Sequence, residues 1–187
     1  MTLTGPGDAV IVSHVAIATV EGYLTKRMPY RQANLEYLMG LRAHALVIGG
    51  GPAPDGTAAD VFCRTQQPED IKRLIEGSPF FTNGLWTGYT PRSFAQFLEP
   101  WEASVPMPDE SRTATLVEGM APDVEMASFA LIEARGAGRM AFGGFFPGGE
   151  TLALMRTADP AEAVAWLSET GFWKEGTLTG RPLLHVL

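Results

Sequence analysis

The chain has 187 residues, 45% of them hydrophobic and 19% charged, with a formal net charge of −7. This composition suits a folded globular protein and excludes a disordered one, while the negative balance, with no run of Lys or Arg, argues against nucleic acid or an anionic membrane surface as partner. The lone cysteine, Cys63, excludes an internal disulfide, and with only three histidines the chain is a poor supplier of metal ligands, so no metal site is expected.

Residues 1–9 hold neither a basic stretch nor a long apolar core, so no secretory signal is read there. No apolar segment reaches the length that crosses a bilayer. A soluble cytoplasmic protein is the expectation.

Residues 10–17 are almost continuously apolar and β-branched, the pattern of a strand buried on both faces. Residues 28–43 follow with helical spacing, Leu35, Leu38 and Leu41 lying to one side. Residues 45–48 read as a short strand stopped by Gly49-Gly50-Gly51-Pro52, and Pro54-Asp55-Gly56 is turn chemistry. A third strand covers 58–64. A second helix opens at Gln67-Pro68, where proline suits the first helical position and Glu69 and Asp70 complement the positive helix end. Gly77 closes it, and residues 86–97 form a last extended stretch.

After a stretch with three prolines, residues 99–111, the order recurs. Residues 113–118 read as a strand and 123–137 as a helix, with Met126, Phe129 and Ile132 at helical spacing. Residues 139–142 and 151–156 are central strands. Asp159-Pro160-Ala161-Glu162 starts a helix carrying Val164 and Leu167, and 177–186 is the final strand.

The recurrence is also literal. Arg, Thr, Pro, Phe, Gly, Thr and Gly repeat at a constant offset of 92 residues (64/156, 65/157, 68/160, 80/172, 84/176, 87/179, 88/180), and Gly49-Gly50 answers Gly143-Gly144 at 94. A period this long signals two copies of one small unit rather than a solenoid. The predicted organisation is a first repeat at 8–98, a linker at 99–111 and a second repeat at 112–187, each repeat β-α-β-β-α-β and thus ferredoxin-like. Such a sheet has helices on one face only, and its bare face is apolar here. An exposed apolar face of several hundred Å2 promotes association, so the two sheets are expected to cover each other. The fold class predicted is α+β, an intrachain pseudo-dimeric barrel.

The residues also resemble the YciI-like family of the dimeric α+β barrel superfamily. The likeness rests on Arg31-Gln32-Ala33-Asn34-Leu35-Glu36-Tyr37-Leu38, Gly50-Gly51-Pro52, Asp55, Ser78-Pro79-Phe80 and Gly84-Leu85, with Gly143-Gly144, Asp159-Pro160, Gly171-Phe172 and Gly176 in the second copy. The resemblance implies pockets for small molecules between helix and sheet. It also implies an Arg-x-x-His helix motif whose histidine pairs with an aspartate as an acid–base dyad. Here Asn34 stands at the histidine position, and Glu125 and Ser128 occupy the corresponding places in the second copy. Asn does not exchange protons near neutral pH.

Several residues remain as candidates. His14 lies mid-strand beside the small Val12 and Ala16, and is read either as an acid–base group or as a buried, hydrogen-bonded core histidine. Ser13 points to the opposite face and is not its partner. Asp55 is the second acid–base candidate. Arg31 and Asn34 share a helix face and, with Asp55, could line a pocket mouth. Arg64 and Arg156 are equivalent in the repeat and suit an anionic ligand. His44 and His185 are read as structural. The glycine run lacks the Lys-Ser/Thr ending of a phosphate loop and is read as a tight turn. Phe80, Phe81, Phe172 and Trp173 are expected to plug the barrel ends.

Three functions stay open: a module binding a small organic ligand, anionic or aromatic; a lyase-, isomerase- or hydrolase-like enzyme using His14 or Asp55; and a non-catalytic assembly domain. No cofactor is implied. A small-molecule ligand is the expected partner, and a further homodimer is left open.

Overall fold

The computed structural model describes residues 10–173 and 176–186. The reading of residues 1–9 and the extreme residues of the two repeats (8, 9 and 187) lie outside it. The first half runs β1 (Ile11–Thr19), α1 (Tyr23–Lys26), a 3-10 turn (Met28–Tyr30), α2 (Arg31–Ala43), β2 (Val47–Pro52), β3 (Ala58–Thr65), α3 (Pro68–Glu76), α4 (Pro79–Thr82) and β4 (Trp86–Ser93). β5 (Gln96–Leu98) ends the first half, and the second runs β6 (Thr113–Met120), α5 (Val124–Gly136), β7 (Met140–Phe145), β8 (Glu150–Met155), α6 (Pro160–Ser168) and β9 (Thr179–Leu184). The short α1 and α4 are additions to the expected order.

The strands form two antiparallel sheets, ordered β2-β3-β1-β4 and β5-β7-β8-β6-β9. Because side chains alternate along a strand, each sheet feeds two cores. Val15, Ile17, Ala59, Val61 and Cys63 face the helices of the first half, packing on Leu38, Ile71, Leu74 and Ile75. Val117, Ala153 and Met155 do the same in the second half against Ala127, Leu131, Ala163 and Leu167. Between the sheets lie Ile48, Phe62, Leu116, Phe142, Phe146, Leu152, Leu154 and Leu183. The two apolar sheet faces therefore cover each other, as the strand composition required.

The sheets also join at their edges, closing a barrel. The extended stretch at 86–97 is not one strand. Phe94 N still donates to Val12 O at 2.9 Å, whereas Ala95 N donates to Phe145 O at 2.8 Å, so the chain changes sheets between β4 and β5. At the opposite seam the chain end does the same, with Val186 N donating to Gly50 O at 3.0 Å.

This seam corrects the reading of the glycine run as a turn. Gly49, Gly50 and Gly51 lie within β2, which carries a bulge between Val47 and Gly49; β7 has its counterpart between Met140 and Phe142. A Cβ at Gly51 would collide with the Leu184 carbonyl, and one at Gly144 with the Gln96 carbonyl. Glycine is needed where a strand of the other half crosses.

A further expectation is corrected. Phe80 and Trp173 belong to the helix-side cores, with Phe81 and Phe172 packed against them, and do not plug the barrel ends. The aromatic interior is built instead from Phe62, Phe94, Phe97, Phe142 and Phe146. Met126, Phe129 and Ile132 do not form the core face of α5; all three are exposed, and the small Ala127, Ala130 and Ala134 with Leu131 let that helix sit close to its sheet.

Candidate functional site

Two polar groupings lie inside this framework, on opposite sides of the first sheet. The first is a cavity between α2 and β2–β3. Its apolar lining includes Leu35, Leu38, Val61 and Phe80, and its polar end is made by Tyr23, Arg27, Arg31, Asn34, Trp86 and Glu110. Its volume is about 60 Å3, room for a few waters. The local sequence explains the placement. The 3-10 turn and α2 put Arg27 and Arg31 four residues apart at the helix entry, Asn34 follows one turn later, and Gly50 and Gly51 leave the cavity floor without side chains.

Arg27 is buried beside the Tyr23 ring, its guanidinium carbon 5.3 Å from the ring centroid. Its Nη2 donates to Glu110 Oε2 at 2.7 Å, and Arg31 Nε and Nη2 each reach Glu110 Oε1 at 3.3 Å. Among the described residues, Arg27 Nε and Trp86 Nε1 are buried without a hydrogen-bond acceptor. Burial raises the Tyr23 hydroxyl pKa against the lowering influence of Trp86 and Arg27, so this phenol stays protonated and is another donor. The polar end is thus rich in N–H and O–H donors, and Glu110 is the acceptor that answers them. Asn34 is buried and accepts from Ser78 Oγ at 2.6 Å; Ser78 Oγ in turn accepts from Phe80 N at 3.1 Å. The side chain at the expected histidine position is therefore held by α4.

The second grouping is inside the barrel. His14 Nε2 donates to Asp60 Oδ1 at 2.7 Å, and Arg181 grips the same carboxylate with two bonds of 2.6 Å. The carboxylate is only an acceptor, so His14 carries its proton on Nε2. His14 Nδ1 is buried without a partner, and the ring lies 5.1 Å from Phe62. Burial would raise the Asp60 carboxyl pKa, but the bonds from Arg181 and His14 outweigh it and hold it below the ordinary carboxylate value. Arg92 stands opposite His14 on β4 and crosses to the other half, pairing with Glu150 and stacking on Phe146. Arg92 and Arg181, each on the last long strand of its half, thus stitch the two halves from opposite sides.

The predicted residues are distributed as follows. Arg31 and Asn34 meet at the cavity. Asp55 does not join them: it is exposed, its Oδ1 accepts from Thr57 N at 3.0 Å and Thr57 Oγ1 at 2.7 Å, and these bonds hold its carboxyl below the usual range. The turn chemistry of Pro54-Asp55-Gly56 uses that side chain locally. Arg64 pairs with Glu99 at the end of β3, away from the cavity. Arg156 follows β8 on the exposed side, far along the chain's other sheet. The two arginines that repeat in sequence are not brought to one site. His44 caps α2, its Nδ1 2.8 Å from Gly40 O, and His185 is buried against Phe142.

Asp60, Arg27, Glu110, Ser78 and Arg181 were not anticipated. Asp60 left a trace, since a carboxylate inside the apolar run of 58–63 is buried only if paired.

No family model and no curated protein matches the chain. Solved structures do. A provisionally named monooxygenase from Lactobacillus acidophilus superposes with a TM-score of 0.60 at 12% identity, covering 95% of this chain and 94% of that one. Another, from Fusobacterium nucleatum, gives 0.63 at 10% identity over 95% and 93%. A chlorite dismutase-like protein gives 0.51 at 11% identity over 93% and 94%. The fold is the dimeric α+β barrel, here completed within one chain. At these identities the likeness concerns the fold of the barrel alone. Among the described residues, no helix of this barrel is long and apolar enough to cross a membrane, and no cluster of His, Cys, Asp or Glu has the geometry to hold a metal ion.

Proposed function

We propose that this α+β barrel binds a small, largely apolar organic molecule carrying an oxygen acceptor, between α2 and the first sheet. One observation carries the reading: an apolar cavity ends in buried N–H groups, Arg27 Nε and Trp86 Nε1, that close no hydrogen bond of good geometry and have only the Tyr23 hydroxyl near enough to feel them. An idle buried donor costs on the order of 1–3 kcal/mol, which an oxygen-bearing ligand would recover. The apolar lining with few placed polar groups is the usual make-up of a small-molecule site. The place of this cavity, between helix and sheet, also fits the YciI-like resemblance, which we retain as the finer assignment.

Binding without acid–base turnover is favoured over the enzyme reading. Asn34 is an amide held by Ser78, and His14 lies on the barrel side of β1, whereas Val15 and Ile17 on its other face look towards the helices. His14 and the cavity are thus on different faces of one sheet, while Asp60, to which His14 is bonded, also borders the cavity.

The reading is tested by calorimetry and thermal shift with benzyl alcohol, benzamide and benzoate. Saturable binding that Leu38→Trp abolishes is expected, because a larger ring at 38 fills the cavity. Absence of saturable binding by every compound, in a folded protein, would refute it.

A further inference from the structure

Residues 99–111 do more than connect the halves. Met107 N donates to Val186 O at 2.8 Å and Arg31 Nη2 donates to Pro108 O, so the stretch is strapped across the mouth of the cavity. At its end Glu110 has φ +60°, a backbone region that side-chain-bearing residues adopt only when something holds them there. Its N–H donates to Met107 O at 3.0 Å, and its carboxylate is seated between the guanidinium groups of Arg27 and Arg31 at 2.7 to 3.3 Å.

We infer that Glu110 is a built-in occupant of a carboxylate site: Arg27 and Arg31 recognise the carboxylate of a small apolar monocarboxylic acid, which enters by displacing the Glu110 side chain. This rests on the cavity reading above and adds the ligand's charge and route of entry. Three observations meet in it. Two arginines converge on one carboxylate, the arrangement that suits planar anion recognition. Arg27, only 6% exposed, keeps an idle Nε that Glu110 does not reach. The cavity of about 60 Å3 behind them has Glu110 in its lining, so withdrawal of that side chain enlarges the polar end where a ligand carboxylate would sit. Asp109, the neighbouring acid, is turned outward to Ser111, whose N and Oγ donate to it at 3.1 and 2.8 Å, so it does not compete for the arginines' inner faces. A short apolar tail would extend towards Leu35, Leu38 and Phe80.

Glycine is at home at φ +60°, so Glu110→Gly removes the occupant while easing the backbone. The probes are propionate and benzoate, with propionamide, benzamide and inorganic phosphate as comparators, at constant ionic strength. Glu110→Gly should bind benzoate at least tenfold more tightly than the unaltered chain and be stabilised saturably by propionate. The amides should show neither gain, and Arg27→Met should remove the gain in the Glu110→Gly background. Glu110→Gln, which keeps size and loses charge, should move affinity in the same direction and stands in if the glycine variant does not fold. Equal affinities with and without Glu110, equal gains for the amides, or a preference for phosphate would overturn the inference. Saturable benzyl alcohol binding alongside any of those results would leave the cavity reading standing and sink only the carboxylate exchange.

Discussion

Asp60 shows how much one buried charge commits the rest of the molecule. It is 1% exposed, yet ionised, because Arg181 and His14 supply three hydrogen bonds to its two oxygens. Removing one partner of such a group leaves the others unpaired, so Asp60→Ala is expected to cost about 3–5 kcal/mol, read by urea denaturation. The pH dependence follows from the sign of the shift. The folded carboxyl titrates below its unfolded value of about 3.9, so its contribution is complete above that pH and is lost as pH falls through the folded value. The stability gap between the unaltered chain and Asp60→Asn should therefore narrow below about pH 4; a gap that stays constant to pH 2 would refute the assignment. Cys63 gives a second check at this scale. Burial pushes its thiol up to about 12, so it should resist thiol reagents at neutral pH until the chain unfolds.

The elements carry the next level of constraint. Pro68 starts α3, and Gln67 and Asp70 complete a reciprocal capping box, while Asp159 caps α6 through Ala161 N at 2.9 Å. These starts were readable because capping is local chemistry. The short α4 was not, since Ser78-Pro79-Phe80-Phe81 has too few residues for a periodic signal. Its cap nevertheless reaches the cavity: Ser78 Oγ serves both Phe80 N and Asn34 Oδ1. Ser78→Ala should cost about 1–3 kcal/mol, and should weaken ligand binding at Asn34 beyond the loss in stability. On α5 the helical spacing of Met126, Phe129 and Ile132 was genuine, but the stripe it marks is exposed. Periodicity marks a stripe without saying which stripe is buried, and the alanines on the other side pack closer. Phe129→Ser is expected to change stability by no more than about 0.5 kcal/mol.

For the whole molecule, closure depends on two seams where one half's last strand crosses the other half's second strand. Gly51 at one seam and Gly144 at the other admit that crossing. Gly51→Ala would force the backbones apart, with an expected cost of about 3 kcal/mol or more, and should make unfolding less sharp than that of the unaltered chain. A variant that unfolds as sharply as the unaltered chain would show that the halves do not depend on this seam. Most of the architecture was legible beforehand. Strand and helix order and the mutual covering of apolar faces follow from local periodicity and from the need to hide apolar surface. The polar groupings were not legible, because pairing is a matter of which strands cross. Arg181 meets Asp60 across 121 positions, and Glu110 meets Arg27 across 83. A strand's alternation tells which face a residue takes; only the closed barrel settles what stands opposite it.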